Sequence, residues 1–478
     1  MKIYNVLNRK KEEFRPLDAE TVKIYACGIT VNGDAHLGHA RQAIIFNMIT
    51  EYFRYAGYKV KYVRNYTDID DKIIDQAKAL HIDPLELSRR RIAETDAVMT
   101  KILTNDADVK PRVSDYIGPI ILFVQKLVEK DCAYVTPKGD VYYSVKKFPR
   151  YGKLSNRKVE DLVSAVRIDE NEEKRDYLDF ALWKSVGPED FGWDSPWGKG
   201  RPGWHIECST MINEILGQQI DIHGGGRDLI FPHHENEIAQ SESLNNCQLA
   251  QFWIHNGLIT VNGQKMGKSL NNFITINDLL EKYHPEVIRF FILSHHYSSP
   301  LDLTYDLLEI AERNLYYFYT SISHYRKYIN AVEAMPPEEG DNNVLSVFET
   351  CMQEDFNISK FLSELFVIFT GINREKKAEV KQGKIMTLLY ALEKLYPILG
   401  MFGDPGEFIK NAKEKYLALL NIKEKEILEL IHVRKEAKSN KDYSKSDEIR
   451  NDLLNRGILL MDTAGETVWD IKSLYSKT

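Results

Sequence analysis

The sequence predicts a protein of the α/β class: a parallel sheet interrupted by an insertion, then an α-helical bundle and a small C-terminal unit. Before about residue 300, short β-rich runs such as TVKIYACG and QIDIHGGG alternate with helical stretches such as HARQAIIFNMITEYFRYAG. This alternation is typical of a parallel sheet with crossover helices. Later, apolar residues recur at three- and four-residue spacing, as in a helical bundle. A chain of 478 residues is too long for one ordinary core, so about three domains are expected.

The first half is expected to form one α/β domain in two parts, residues 1–113 and 200–300, separated by an insertion at 114–199. From Lys146 to Lys158 the insertion carries six basic residues and no acidic one. Two interpretations of this charge run stay open. It is either a solvated loop, which is the usual case, or a contact for a polyanion.

The second half is expected to hold a helical bundle at 301–402 and a separate unit at 403–478. Segments such as SKFLSELFVIFTGI and IMTLLYALEKLYPIL carry the helical periodicity, and PPEEGDNN is a loop between such segments. The last unit follows GDPGE, contains charged helical segments and ends in the β-like run ILLMDTAGETVWDI.

Composition excludes several classes of protein. The net charge is −7, so a nucleic-acid partner would be met by local basic patches. No stretch of about 18 uncharged apolar residues occurs, and the N-terminal MKIYNVLNRKKEEF lacks an apolar run, so we expect a cytoplasmic protein without a membrane partner. An odd number of widely spaced cysteines argues against a disulfide framework: Cys27, Cys132, Cys208, Cys247 and Cys351.

The first of three motifs is YACGITVNGDAHLGHARQ at 25–42. We expect a strand that ends at Cys27, a loop, and a helix that opens at His36. Such a turn lies at the carboxyl edge of a parallel sheet, where the helix start presents free N–H groups to phosphate. His36 and His39 could donate to phosphate oxygens, and Gly38 would let a flat ring approach the backbone. Alone, the pattern more often marks two ordinary helix-start histidines.

The second motif, NGQKMGKSLNNF at 262–273, supports the first from a distant part of the chain. Its NG pair is a turn signal, and Lys265 and Lys268 follow on a glycine-containing loop. The two lysines could meet a triphosphate opposite the histidines, and such positioning and charge stabilisation are most of what a protein contributes to phosphoryl transfer. The chain contains no Walker sequence and no kinase signature, so ATP would bind through this pair of motifs.

The third motif, FPHHENEIAQ, places His233 and Glu237 four residues apart on one face of a helix that Pro232 is expected to open. Imidazole and carboxylate at that spacing can hold one metal ion. Cys27 and Cys208, the latter in GWHIECS, could bring two thiolates to the same edge of the sheet. This donor set suits zinc. The residues alone leave other ligands open: His205, His223, His234 and Glu235.

Two further stretches contain candidate substrate contacts. In HGGGRDL, the glycines could let a ribose or adenylate lie against bare backbone at Gly225, or could merely form a tight turn. Asp228 in the same stretch could hold an ammonium group or ribose hydroxyls. In TDIDDKII, Thr67 is expected to end a strand near the site, whereas Asp70 and Asp71 more often cap a helix.

With these motifs in place, the sequence resembles a known family over essentially its whole length. HLGH and KMGKS look like the two signatures of class I aminoacyl-tRNA synthetases, and YACGITV, GWHIECS and DIHGGGRDLIFPHHENEIAQ look like the cysteinyl-tRNA synthetases in particular. The resemblance implies a Rossmann-like catalytic domain with a connective insertion, a helical bundle and a C-terminal anticodon-binding domain. It also implies L-cysteine, ATP with Mg²⁺, and tRNA(Cys) as substrates, one zinc ion per chain, and a monomer.

The resemblance assigns roles to individual residues. It selects as zinc ligands Cys27, Cys208, His233 and Glu237, and leaves other contacts to His223 and His234. It implies as catalytic residues His36, His39, Lys265 and Lys268. It implies that ATP contacts both histidines, Lys268, Gly38, Gly225 and Asp228, and that the substrate cysteine contacts Cys27, Thr67 and Trp204. Local departures from the family pattern are Ile29 and Gly267, where proline and serine are usual.

Zinc would explain the specificity that this resemblance implies. A hydrophobic pocket separates near-isosteric substrates by only about 10- to 200-fold. Zinc prefers a soft thiolate and deprotonates a coordinating thiol, so serine would be rejected before activation. No editing domain is therefore expected.

Other functions stay open from the sequence. An ATP-dependent ligase that joins cysteine to an amino sugar would not need the helical bundle and tail. A zinc hydrolase or deaminase could use HIE at 205–207, but no P-C-x-x-C follows. A non-catalytic tRNA-binding relative is a third possibility. In the tail, Trp469 could stack on an unpaired base, and tRNA contacts are expected from Arg434, Lys435, Lys438, Arg450 and Arg456.

Overall fold

The computed structural model describes residues 1–157, 173–267, 270, 272–330, 343–462 and 466–475. The chain divides into two compact units. The first comprises Met1–Asp278, His295–Asp302 and Phe348–Phe361; the second comprises Leu279–Ser294, Leu303–Val347 and Leu362–Thr478. Residues 348–361, which fall inside the predicted bundle, therefore cluster with the α/β unit.

The elements up to residue 256 are, in chain order, β1 (Lys2–Asn5), β2 (Lys10–Glu13), β3 (Thr21–Thr30), α1 (Leu37–Tyr55), β4 (Lys59–Thr67), α2 (Asp71–Leu80), α3 (Pro84–Ile102), α4 (Ile117–Glu129), β5 (Ala133–Val135), β6 (Val141–Tyr143), β7 (Phe180–Ser185), β8 (Gly200–Pro202), α5 (Trp204–Ile215), β9 (Ile220–Gly226), α6 (Glu235–Asn245) and β10 (Ala250–Asn256).

The later elements are β11 (Ile259–Val261), β12 (Gln264–Lys265), α7 (Ile276–Leu280), α8 (Pro285–Leu293), β13 (Leu301–Leu303), α9 (Tyr305–Asn330), α10 (Asn343–Met352), α11 (Ile358–Arg374), α12 (Ala378–Leu399), α13 (Pro405–Leu420), α14 (Glu424–Ser439), α15 (Tyr443–Asn455), β14 (Ile458–Asp462), β15 (Thr467–Ile471) and α16 (Lys472–Tyr475).

A parallel sheet in the order β10-β9-β3-β4 forms the centre of the first unit. Its strands are almost continuously buried because helices cover both faces, and even the polar Asp221 and His223 of β9 are fully buried. The chain leaves β3 toward β4 on one side and reaches β9 and β10 on the other. The strand order therefore reverses between β3 and β9, and in open α/β sheets ligands bind in the crevice at such a reversal.

The predicted insertion forms an antiparallel sheet in the order β5-β6-β7-β8. Several basic side chains of the charge run from Lys146 form ion pairs with carboxylates of the first unit. Lys146 lies 2.8 Å from Asp176, and Arg150 and Lys153 lie 3.1 and 2.7 Å from Glu242. These ion pairs favour the interpretation as an ordinary charged surface. Lys158 lies outside the described residues.

The tail of the second unit corrects one expectation. Trp469 is only 8% exposed, and the ammonium of Lys413 lies 4.2 Å from the centre of its ring, so this indole is not free to stack on a base. Arg434 is also buried, and its guanidinium makes two hydrogen bonds, of 2.7 and 2.9 Å, to Asp462. Within the described ranges, no helix combines the length and apolar character needed to cross a membrane.

Candidate metal and nucleotide site

A buried cluster at the carboxyl side of the central sheet contains the four predicted metal ligands. The donor atoms of Cys27, Cys208, His233 and Glu237 all lie within 4.8 Å of one another. The two sulfurs are 3.7 Å apart, Glu237 Oε1 lies 3.3 Å from the Cys27 sulfur, and His233 Nε2 lies 2.9 Å from the same oxygen. Four donors this close, all shielded from water, could hold one metal ion.

The thiols reach the cluster by a different route from the predicted one. Cys27 lies inside β3, which continues to Thr30, rather than at the end of its strand. Cys208 lies on α5, so only one of the two thiols comes from the sheet. The sheet is locally irregular here, with a register shift between Ala26 and Ile29. Gly28 allows β3 to lie close to Asn65 of β4, because a Cβ at Gly28 would lie 1.6 Å from the backbone oxygen of Asn65.

Glu237 lies in the first turn of α6, and His233 lies in the segment just before that helix. The helix proper begins at Glu235, after a short π-helical segment at Ile230–His234. Phe231 is extended (φ −139°, ψ 131°), so helical backbone follows it, as the position of Pro232 predicts. The four-residue spacing brings the imidazole and carboxylate together on one face.

A second, overlapping donor set keeps the ligand choice open in the structure too. Cys27 and Glu237 also group with His223 and His234. His223 Nε2 lies 2.6 Å from Glu237 Oε2, and His234 Nε2 lies 3.3 Å from the Cys27 sulfur. The other nitrogen of His234 contacts His255 Nε2 at 2.8 Å. His255 was not among the predicted site residues; its only sequence signal is its place at the end of a β-rich run.

The charges of the cluster compensate one another. Burial alone would raise the pKa of the Cys208 thiol, but contacts with Cys27 and His233 bring that pKa to about 6. Burial opposes protonation of His233, yet Glu237 and Cys208 raise its pKa to about 10. Burial likewise opposes ionisation of Glu237, whereas His223 and His233 hold its pKa well below the usual range. The protonated His233 therefore contacts both the Cys208 thiolate and the Glu237 carboxylate. A divalent cation could bind these two negative groups instead.

The predicted substrate contacts border this cluster. Trp204, the first residue of α5, is 43% exposed, and its ring stacks on His233 at a centroid distance of 4.2 Å. Thr67 is the last residue of β4, and its hydroxyl donates to Glu207 Oε2 at 2.9 Å. Glu207 is buried on α5 beside Cys208. The sequence had suggested a role for Glu207 only within HIE, as part of a rival zinc-enzyme interpretation, and did not predict it at this site.

The histidine pair opens α1 as predicted. His36 is the N-cap, and its Nδ1 accepts a hydrogen bond from the Gly38 N–H at 3.1 Å. The His36 N–H in turn donates to Nδ1 of His39 at 3.4 Å, and the two rings stack 3.7 Å apart. Burial and the His36 ring hold the pKa of His39 well below its usual value. Because both Nδ1 atoms accept, each neutral ring carries its proton on Nε2 and can donate there.

Gly38 has a packing role that the sequence did not predict. A Cβ at this position would lie 2.8 Å from Cε1 of His36. The glycine therefore makes room for the folded-back imidazole of its own motif. The approach of a ligand ring at Gly38 stays a prediction.

The segment that follows the lysine motif lies beside the histidine pair, in the first unit. Lys265 ends an exposed hairpin, β11–β12, whose turn at Asn262 and Gly263 has positive φ at both residues (51° and 74°). Thr275, after the loop, pairs with His36, and the Ile276 N–H donates to Ala35 at 2.9 Å. The loop thus rejoins the fold beside the histidine pair. Lys268 itself lies outside the described residues.

The glycine triplet belongs to a strand, so the tight-turn interpretation is wrong. Gly224, Gly225 and Gly226 end β9 and pair with β10. A Cβ at Gly224 would lie 2.2 Å from Phe46 of α1, and one at Gly225 would lie 2.9 Å from Leu229. Asp228 is exposed in the short turn Arg227–Leu229 that follows. Asp70 caps α2 by accepting from the Lys72 N–H, as predicted.

Comparison with known proteins identifies the family of this chain. Residues 13–313 match the family described as tRNA synthetases class I (C) catalytic domain, and residues 347–403 match the DALR domain. The cysteine–tRNA ligase of Maridesulfovibrio salexigens is 43% identical, and the match covers 98% of this chain and 100% of the relative. The cysteine–tRNA ligase of Desulfotalea psychrophila is 44% identical, with coverage of 98% and 99%.

The fold is also similar to that of a solved structure, Mycobacterium tuberculosis methionyl-tRNA synthetase in complex with methionyl-adenylate. The TM-score is 0.61 at 15% identity, and the match covers 85% of this chain and 95% of that one. At this identity the likeness concerns the fold alone. The full-length relatives and the catalytic-domain match confirm the resemblance that the motifs predict: the chain belongs to the class I cysteine–tRNA ligase family.

Proposed function

We propose that this chain activates L-cysteine with ATP and transfers the cysteinyl group to the 3′-terminal ribose of tRNA(Cys). The observation that carries the proposal is the buried cluster of Cys27, Cys208, His233 and Glu237 in the same unit as the histidine pair. A thiol-selective site beside a nucleotide site is what cysteine activation needs. Family membership supports the same reaction.

The four donors of this cluster are proposed to hold one zinc ion per chain. Two sulfurs, an imidazole and a carboxylate form a donor set that suits zinc better than magnesium or calcium. When bound, zinc would supply a preference for soft thiolate over hydroxyl. Trp204 would wall the side-chain pocket, Thr67 would contact the substrate, and no editing domain would be needed.

The histidine pair and the lysine loop are proposed to bind ATP, which brings Mg²⁺ as its counter-ion. The Nε2 protons of His36 and His39 would donate to phosphate oxygens, while Lys265 and Lys268 would approach from the loop. Gly225 and Asp228 would lie near the ribose. These residues position the α-phosphorus for the cysteine carboxylate and offset the charge that builds up as pyrophosphate leaves. The reaction needs no covalent enzyme nucleophile.

The second half of the chain is proposed to recognise tRNA(Cys). The DALR match at 347–403 and the helices of the second unit support this assignment. Basic residues outside the buried ion pairs are the better candidates for phosphate contacts, namely Lys435 and Arg450. We further propose that the protein acts as a monomer in the cytoplasm.

The test is charging of total tRNA by the purified protein with ATP and labelled cysteine, beside a parallel reaction with labelled serine. We expect acid-stable, base-labile label on one tRNA species with cysteine only. Formation of cysteinyl-adenylate with no label on tRNA would instead favour a ligase with another acceptor, such as an amino sugar. Charging with serine at a comparable rate would contradict the thiol-selective site.

A further inference from the structure

A cavity of about 620 Å³ lies in the first unit, beside the end of β10. The β1–β2 hairpin, residues 154–156 of the insertion and the turn after β9 form much of its wall. Among the described residues that line it, none is proposed above to contact cysteine, ATP or the metal. Pockets of this size are large enough for a small organic ligand or one nucleotide. The cavity therefore has room for a ligand that the proposed reaction has not yet placed.

His255 brings a buried polar atom to this cavity. The residue is only 4% exposed and lines the cavity, and its Nε2 contacts Nδ1 of His234 at 2.8 Å. In the described part of the chain, the other ring nitrogen, Nδ1, has no hydrogen-bond partner. A buried polar atom without a partner is costly, so an occupant of the cavity is expected to pair with it. A hydroxyl group suits this nitrogen in either tautomer, because a hydroxyl both donates and accepts.

The charge available at the cavity is positive. Arg9 and Arg227 line it and are exposed, and no carboxylate of the described residues pairs with either guanidinium. The Asp355 carboxylate also lines the cavity, but its Oδ1 accepts hydrogen bonds from the Tyr4 N–H at 2.9 Å and from the Tyr297 hydroxyl at 2.8 Å. Its negative charge is thus already stabilised within the protein. Two guanidinium groups without a carboxylate partner suit a phosphate.

The insertion side of the cavity is fixed by Glu235. This residue of α6 is fully buried, and its Oε2 accepts hydrogen bonds from the Ser155 N–H at 2.8 Å and from the Ser155 hydroxyl at 2.9 Å. The helix that carries the predicted ligand Glu237 therefore also holds the insertion loop in place. The wall of the cavity is preformed.

His255 also connects the cavity to the thiol cluster. Its partner His234 contacts the Cys27 sulfur through Nε2 at 3.3 Å. One imidazole ring thus separates His255 from the cluster at which the substrate sulfur is proposed to lie. An acceptor that takes the cysteinyl group must come close to the same cluster.

We propose that this cavity binds one of the unpaired nucleotides that precede the terminal ribose of the acceptor tRNA. Arg9 and Arg227 contact its phosphate, and Nδ1 of His255 pairs with its ribose 2′-hydroxyl, the group that distinguishes RNA from DNA. This inference rests on the proposed function, because it assumes that a tRNA receives the cysteinyl group. It adds the place where the 3′ end is held while its last ribose reaches the activated cysteine.

A role of the cavity in ATP binding makes a different prediction. Cysteine-dependent pyrophosphate exchange needs ATP but no tRNA, whereas charging needs both. Loss of an ATP contact would slow exchange and charging together. Loss of a tRNA contact leaves exchange unchanged and slows charging alone.

The test uses Arg9→Gln, Arg227→Gln and the double variant, which remove charge at exposed positions. Arg15→Gln is the matched control, because Arg15 is exposed and lies outside the lining of the cavity. Pyrophosphate exchange is measured without tRNA, and kcat/KM for charging is measured with a tRNA(Cys) transcript over a range of salt concentrations. A second series uses the unmodified protein and transcripts with a single 2′-deoxy substitution at each unpaired position before the terminal nucleotide.

Each single variant should lower kcat/KM for charging by about 10-fold, as for loss of one charge-assisted contact, and leave exchange unchanged. The logarithmic dependence of kcat/KM on salt should become less steep by about 0.7 for each arginine removed, since fewer counter-ions are released from a single strand. One of the 2′-deoxy substitutions should lower charging by about 5-fold, as for loss of one hydrogen bond.

Charging by both variants at the rate of Arg15→Gln would overturn the proposal, and so would an equal fall in exchange and charging, which would assign the cavity to ATP. If no 2′-deoxy substitution changed the rate, the contact with His255 would be wrong. Absence of exchange or of charging by the unmodified protein would contradict the proposed function itself, and this inference with it.

Discussion

His223 Nε2 lies 2.6 Å from Oε2 of Glu237, and the other oxygen of that carboxylate faces the thiol cluster. The two oxygens thus have separate partners, since Oε1 contacts the Cys27 sulfur and His233. His223 is itself held by a parallel stack on Trp253, with ring centroids 4.4 Å apart. An imidazole in this position orients a ligand without itself needing to bind the metal.

We predict that His223→Gln weakens metal binding by about 10- to 100-fold, because loss of a residue that orients a ligand typically has an effect of this size. The measurement is competition for the metal with a chromophoric chelator. His432→Gln, on the exposed side of α14, is the control and should bind metal as the unmodified protein does. If His223→Gln kept full affinity, the carboxylate would not depend on this hydrogen bond.

Cys208→Ser should lose metal and cysteine activation together, because a serine hydroxyl is a poor substitute for a thiolate ligand. Metal content and cysteine-dependent pyrophosphate exchange measure the two effects on one sample. Cys247→Ser is a suitable control, since that thiol lies outside both donor sets of the cluster. An active Cys208→Ser protein without bound metal would remove Cys208 from the ligand set.

The sequence predicted which residues form the site better than it predicted which strands and helices carry them. The strand-and-helix alternation led to the parallel sheet, and the four-residue spacing of His233 and Glu237 led to their contact, since both signals are local. The helical position of Cys208 was not predicted, because GWHIECS is too short for periodicity to distinguish a helix from a strand.

Residues with long-range partners were the hardest to predict. Nothing near Glu207 in sequence indicates that it contacts Thr67, 140 residues away. Trp469 looked like an exposed aromatic near the end of the chain, but the ammonium of Lys413 covers it. The sequence also did not indicate that a Cβ at Gly38 would meet His36 or that one at Gly224 would meet Phe46. Such contacts depend on tertiary packing, which composition and spacing do not encode locally.

Gly38→Ala should reduce adenylate formation while leaving metal content unchanged. The added Cβ would lie 2.8 Å from Cε1 of His36, so the imidazole must leave its position against the helix start. We expect a fall in the rate of pyrophosphate exchange of roughly 10- to 100-fold, since small displacements of catalytic groups have effects of this order. The control is Gly118→Ala on α4, where an added Cβ meets nothing within 4 Å. Unchanged exchange by Gly38→Ala would show that the ring position is not needed.

Lys268→Ala should slow adenylate formation by roughly 10²- to 10³-fold, as loss of a group that stabilises transition-state charge typically does. The change should appear in kcat of pyrophosphate exchange more than in the KM for cysteine, because the lysine is expected to act on the phosphates. The exposed Lys59, at the start of β4, provides the control substitution Lys59→Ala. An unchanged exchange rate would exclude Lys268 from the mechanism.

Glu286 gives the second unit a pH-dependent stability. Burial raises the pKa of this carboxyl to about 7, although it accepts hydrogen bonds from the Tyr319 hydroxyl and, at 3.2 Å, from the Phe402 N–H. Its pKa is higher in the folded state than in the unfolded one, so folding favours the protonated form. The stabilisation is fully present below about pH 4.5 and is lost as the pH rises through about 7.

We therefore predict that Glu286→Gln, which mimics the neutral acid, flattens this dependence. Between pH 5 and pH 8 the free energy of unfolding of the unmodified protein should fall by on the order of 2–3 kcal/mol more than that of the variant. Urea titrations at both pH values, followed by circular dichroism of the helical signal, measure the difference. Glu448→Gln, at an exposed position of α15, should keep the dependence of the unmodified protein. The same pH dependence in Glu286→Gln would assign the effect to other groups.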